Sequence, residues 1–132
     1  MKILVVEDNL LKRKFVEEFL SARKIDTIVS FSVNSAIKEI VERLNEFSGI
    51  ILDLGLTSYD DSMDYDSKRG LDLVEELTRR EIDIPILINS STTINLPNIM
   101  ENHSNVKGQT SIMEDGNTKI ESFIKILKEK KQ

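Results

Sequence analysis

The sequence predicts an α/β fold, a five-stranded parallel sheet packed between helices, and three observations predict it. Short β-branched apolar runs alternate with stretches of helical periodicity five times over. The run Gly49-Ile50-Ile51-Leu52 is apolar throughout rather than alternating, as in a strand buried on both faces of a parallel sheet. Carboxylates stand where two of the runs stop: Glu7-Asp8 after Lys2–Val6, and Asp53 after Leu52. Open α/β sheets bind ligands beyond the carboxyl ends of their strands, so this third observation bears on function as well as on fold. A length of 132 residues suits one domain with a single core.

The elements follow in order. Lys2–Val6 is a short, buried first strand. Asn9 is placed to cap a helix in which Leu11, Phe15 and Phe19 recur every fourth residue, with Val16 and Leu20 widening the stripe. Ile25–Val29 is the second strand. Ser32 caps a second helix that carries Val33, Ile37, Ile40, Val41 and Leu44 at helical spacing. Gly49–Asp53 is the third strand. From about 54 to 69 periodicity disappears into a polar, acidic connection that is long for a βα loop. Gly70 ends it, and Leu71, Val74 and Leu77 begin a third helix running to about Arg80. Pro85 opens the fourth strand, Ile86–Asn89, which stops at Ser90-Ser91. Pro97 is compatible only with the first turn of a short fourth helix. Asn105-Val106-Lys107 form a short fifth strand, and Ile120, Phe123, Ile124 and Leu127 mark a last amphipathic helix over Thr118 to Lys130.

Composition excludes several classes. Hydrophobic content of 39% and charged content of 31% describe an ordinary globular domain. A net charge of −5 argues against a nucleic-acid surface, and the clusters Lys12-Arg13-Lys14 and Lys128–Lys131 read as solvated helix faces. The chain has no cysteine, hence no thiol chemistry, and no apolar run of membrane-spanning length or signal-peptide pattern. A cytoplasmic protein with no direct nucleic-acid or membrane partner is the expectation.

Glu7, Asp8, Asp53, Ser90 and Lys107 all fall at predicted carboxyl ends of strands. Three carboxylates at one edge repel unless a cation or a shared proton relieves them. Mg²⁺ takes oxygen ligands in a near-octahedral shell and keeps several waters, so two carboxylates and a carbonyl suffice to hold it. An aspartate beside that ion is a nucleophile toward phosphorus. The charge of the transferred group then calls for the metal on one side and a lysine or hydroxyl on another, which Lys107 and Ser90 supply.

In this order and on these elements, Ile3-Leu4-Val5-Val6-Glu7-Asp8-Asn9, Ile50-Ile51-Leu52-Asp53, Gly70-Leu71-Asp72-Leu73, Ile84-Pro85-Ile86-Leu87-Ile88-Asn89-Ser90-Ser91 and Val106-Lys107 resemble the receiver domain of two-component response regulators, over essentially residues 1–132. The resemblance implies a flavodoxin-like, doubly wound sheet of strand order 2-1-3-4-5. It implies Asp53 as phosphoacceptor from a histidine kinase or phosphotransfer protein, in a Mg²⁺-dependent reaction. Asp8 would be a direct metal ligand, Glu7 a ligand through water, and Asp53 and the Gly55 carbonyl would complete the protein's share. Ser90 would bond a phosphoryl oxygen and Lys107 would pair with the phosphate. The output surface would involve the fourth helix, fifth strand and last helix. The sequence departs from the family where Gly108 follows Lys107 in place of proline, where Ser104 stands three residues before that lysine in place of an aromatic, and where the loop after Asp53 is lengthened and lacks Met-Pro.

Other readings are weaker. Asp64, Asp66 and Glu75 fall at EF-hand spacing, but Lys68 and Arg69 stand where a ligand and a glycine are needed. Asp53-Leu54-Gly55-Leu56-Thr57 resembles the motif of haloacid-dehalogenase-type phosphatases, with Gly55 replacing the second aspartate. His103 reads as a loop histidine. The expectation is a stand-alone receiver, monomeric or dimerising on phosphorylation, that signals to a downstream effector protein. It is not an enzyme beyond its own phosphorylation and dephosphorylation. A receiver-like interaction module working without phosphorylation is the alternative.

Overall fold

A computed structural model describes residues 1–55, 70–111 and 118–130. Along them run β1 (Lys2–Val6), α1 (Leu10–Ser21), β2 (Asp26–Ser30), α2 (Val33–Glu42), β3 (Gly49–Leu52), α3 (Gly70–Arg79), β4 (Ile86–Asn89), α4 (Leu96–Asn102), β5 (Val106–Thr110) and α5 (Thr118–Lys130). The five strands are all parallel and ordered β2-β1-β3-β4-β5, the doubly wound arrangement expected. From residue 56 onward the long acidic connection lies outside the described residues.

Because side chains alternate along a strand, the central strands feed two cores. Leu4, Val6, Ile50, Leu52, Ile86 and Ile88 face α2 and α3, where Ala36, Ile40, Leu73, Val74 and Leu77 meet them. Ile3, Val5, Ile51 and Leu87 face α1 and α5, meeting Val16, Phe19, Leu20, Ile120, Phe123, Ile124 and Leu127. Covering on both faces explains why the central runs are apolar without alternation.

Both predicted caps are made. Asn9 Oδ1 accepts the backbone N–H of Lys12, and Ser32 Oγ accepts that of Ser35. The short α4 carries Pro97 in its first turn, as expected. His103 closes α4, with Nδ1 2.7 Å from Thr78 Oγ1. No described helix is long and apolar enough to cross a membrane.

Three expectations need correction. The apolar stripe of α1 does not run through Leu11 and Phe15, which are 66% and 39% exposed. The inward face is Val16, Phe19 and Leu20, and extending it back by one turn reaches Lys12. On α2, Val41 is exposed, as is Leu44 beyond the helix end, while Ala36 and Ile40 are buried. Finally, β5 begins at Val106 and runs to Thr110, so Lys107 lies near its start.

Candidate functional site

Strand register brings the acids together. Leu52 pairs with Val6 and Asp53 N–H bonds the Val6 carbonyl at 2.9 Å, which sets Asp53 beside Glu7 at the carboxyl edge. Glu7, Asp8 and Asp53 each present a carboxylate oxygen within 4.8 Å of the other two. Glu7 is 2% exposed and Asp53 5%. Glu7 Oε2 accepts the Asn9 N–H at 3.2 Å, whereas Oε1 is buried without a hydrogen-bond partner.

Burial pushes the Glu7 carboxyl up from its ordinary 4.5 to about 8, and the neighbouring Asp53 charge adds to the effect. Lys12 and the Asn9 N–H act in the opposite direction. The edge therefore relieves its repulsion in part by keeping a proton on Glu7.

Lys12 supplies the rest. Its Nζ lies 3.6 Å from Asp53 Oδ1 and 3.8 Å from Glu7 Oε1. Helical side chains lean toward the helix N-terminus, so a lysine in the first turn of α1, on the side that Val16 and Leu20 continue into the core, reaches back over the sheet edge. The sequence reading placed it on a solvated face. The signal that identifies it is spacing: Lys12, Val16, Phe19 and Leu20 form one i, i+4, i+7, i+8 stripe.

Lys107 does not join this cluster. Ile86 pairs with Val106 and Leu87 with Gly108, so Lys107 is the extra residue of a β-bulge. The residue level with Asp53 across the sheet is Thr110, which pairs with Asn89. Lys107 lies two to three residues back, roughly 7–10 Å along the strand, and its amine donates to the Ser104 carbonyl at 2.9 Å. The strand runs on for three residues past Lys107, to Thr110, and that length leaves the lysine short of the carboxyl edge. Gly108 follows at φ 158°, a backbone setting that L side chains rarely adopt.

Ser90 is at the edge, one residue beyond the level of Asp53, and 5% exposed. Its Oγ accepts the Thr92 N–H at 3.1 Å. Gln109 Nε2 donates to both the Ser90 and Thr92 carbonyls, at 2.8 and 2.9 Å, holding the β4–α4 turn against β5. No sequence signal marked Gln109. Gly55 is half-buried, two residues past Asp53.

Gly70 belongs to the site through its backbone. A Cβ there would lie 2.4 Å from the Asp53 carbonyl oxygen and 2.7 Å from Leu54 Cα. The Gly70 N–H also bonds the Leu54 carbonyl at 2.8 Å. Only a glycine lets α3 start this close to Asp53.

The acids fit a small divalent cation. Oxygens sharing one Mg²⁺ lie at most about 4.2 Å apart, so small side-chain rotations bring the three into its shell. Glu7 Oε1 is buried with no hydrogen-bond partner and only the Lys12 ammonium 3.8 Å away, and a divalent cation bound there would satisfy it in place of the proton.

Solved structures of the same shape exist. The chain superimposes on the receiver domain of Francisella response regulator 1452 with a TM-score of 0.75 and 20% identity, covering 99% of this chain and 98% of that one. This is the receiver fold of response regulators. The BeF₃-activated N-terminal receiver domain of Klebsiella pneumoniae RstA matches with a TM-score of 0.74 and 18% identity, over 96% of this chain and 98% of that one. Thermotoga maritima response regulator TrrA, solved with Mg²⁺-BeF, matches with a TM-score of 0.74 and 16% identity, over 96% and 97%. No protein-family model and no curated protein matches the chain in sequence. Within the receiver fold, the acids of this chain stand at the carboxyl edge of β1 and β3.

Proposed function

We propose that this protein is a phosphorylatable receiver, with Asp53 as the phosphoacceptor and a phosphohistidine on a kinase or phosphotransfer protein as donor. The observation that carries the reading is the three-carboxylate edge, with Glu7 and Asp53 buried and Glu7 Oε1 lacking a hydrogen-bond partner, set in a receiver-order sheet. An Asp53 oxygen attacks phosphorus, an acyl phosphate forms, and the P–N bond breaks with the imidazole leaving. Water later cleaves the acyl phosphate and restores the carboxylate. Asp8, Glu7 and the Gly55 carbonyl would hold Mg²⁺, which neutralises charge on the transferring group. Ser90 is positioned to bond a phosphoryl oxygen once its Oγ turns from Thr92.

Partner proteins have two surfaces to use. Leu10 and Leu11 are exposed beside the site and Phe15 lies one turn on, an apolar patch suited to the protein that brings the phosphoryl group. A cavity of about 320 Å³ between α4, β5 and α5, lined by Leu87, Leu96, Met100, Gly108, Phe123 and Ile126, suits a downstream effector.

The test is incubation with phosphoramidate, with and without Mg²⁺, read by intact mass. One phosphoryl group is expected on the wild type with Mg²⁺, and none on Asp53→Asn or after chelation. Mg²⁺ binding with no adduct would reject this reading in favour of a phosphorylation-independent interaction module. Thr110, rather than a lysine, at the end of β5 is the observation that favours that second reading.

A further inference from the structure

A phosphoryl group on Asp53 would add negative charge at an edge that already holds three carboxylates, and a fixed cation beside it would stabilise that charge. The carboxyl end of β5 provides none, because Thr110 and Ser111 stand there and the Lys107 amine is bonded to Ser104. Among the described residues, the ammonium in ion-pair contact with Asp53 is that of Lys12. We propose that Lys12 is the residue that neutralises the phosphoryl group on Asp53, doing from the first turn of α1 what no residue of β5 is placed to do. The inference rests on the phosphoacceptor reading of Asp53.

Three features of α1 support the assignment. A cation in a helix's first turn opposes the macrodipole, which favours acids there, yet α1 has no acid in its first turn and carries Lys12. The opposing charge of Asp53, 3.6 Å away, is what makes the position tenable. The helix start is fixed, since Asn9 Oδ1 accepts the Lys12 backbone N–H at 3.0 Å and the side chain springs from a defined point. The side chain is also 28% exposed, so its amine is reachable from solvent and from an arriving phosphodonor.

The role is electrostatic. Lys12 forms no bond to phosphorus and transfers no proton; its ammonium stays charged and pairs with a non-bridging phosphoryl oxygen. The acids would hold Mg²⁺, and Lys12, beside Asp53, would pair with a phosphoryl oxygen that the ion leaves uncovered. Arginine at this position retains the charge, and methionine retains the length without it.

The experiment compares wild type, Lys12→Met, Lys12→Arg and Lys107→Met for Mg²⁺-dependent phosphoramidate labelling, for Mg²⁺ affinity by calorimetry, and for beryllofluoride binding by ¹⁹F NMR. Lys12→Met is expected to label on the order of ten- to a hundred-fold more slowly and to lose the beryllofluoride adduct. It should bind Mg²⁺ as tightly as wild type or more tightly, since a competing cation has gone. Lys12→Arg should recover most of the rate, and Lys107→Met should behave as wild type. Three outcomes overturn the proposal: Lys12→Met labelling at the wild-type rate; Lys107→Met losing the label; or Lys12→Met losing Mg²⁺ along with the label, which would make Lys12 a support for the acids alone. A wild type that binds Mg²⁺ and takes no label rejects the phosphoacceptor reading itself, and this proposal with it.

Discussion

A carboxyl group buried beside a second carboxylate, as Glu7 is beside Asp53, holds its proton more tightly in the folded chain than in the unfolded one. Between the unfolded value of 4.5 and the folded value of about 8, the folded state binds more protons, so stability falls as pH rises. The contribution is fully present below 4.5 and gone above 8. Resistance to thermal unfolding without metal should therefore fall as pH rises across that window, by on the order of a few kcal/mol at most, and Glu7→Gln should flatten the trend. An unchanged slope in Glu7→Gln would assign the pH dependence elsewhere. Gly70 gives a second residue-scale expectation. A Cβ 2.4 Å from the Asp53 carbonyl oxygen meets backbone, which cannot rotate away. Gly70→Ala should cost about 1–3 kcal/mol or more and slow phosphoramidate labelling, because the atoms that must shift belong to Asp53. Loss of stability with an unaltered labelling rate would separate α3 from the site.

At the scale of elements, what was legible in the sequence depended on whether periodicity or register decided the answer. The central strands and the caps at Asn9 and Ser32 follow from local patterns, and they stand where those patterns put them. The α1 stripe was misread because Leu11 and Phe15 share the spacing of a buried face, and a spacing does not say which side faces the sheet. Lys107 was misplaced for a different reason. The strand continues past it through Gly108, Gln109 and Thr110, which carry no apolar signature, so the end of β5 cannot be read from the pattern. The exposed α1 face carries its own prediction. Leu11→Ser with Phe15→Ser should leave the melting temperature nearly unchanged, since neither side chain is buried. Phosphotransfer from a phosphohistidine protein should slow while labelling by phosphoramidate does not. Equal slowing with both donors would place the effect within the site.

For the whole molecule, sheet order and the convergence of Glu7, Asp8, Asp53 and Ser90 were readable, because topology carries each strand's last residue to one edge. Lys12, Gln109 and Gly70 were less so, since each acts across elements distant in sequence. A cation bound only by the folded edge stabilises the fold by mass action. Millimolar Mg²⁺ should raise the melting temperature, more at pH 8 than at pH 6, because binding must displace the proton that Glu7 retains. Asp8→Asn should abolish most of the rise, and a rise of equal size in that variant would locate the ion elsewhere.

The bond from Gly70 N–H to the Leu54 carbonyl has a wider meaning. The chain leaves the sheet directly after Asp53 and is pinned again at Gly70, so Leu54 and Gly70 are held together beside that aspartate. Closure entropy grows only logarithmically, about 0.6 kcal/mol for each doubling of length. The number of residues between Leu54 and Gly70 can therefore change at little thermodynamic cost, provided that the contact of Gly70 with Asp53 and Leu54 is kept.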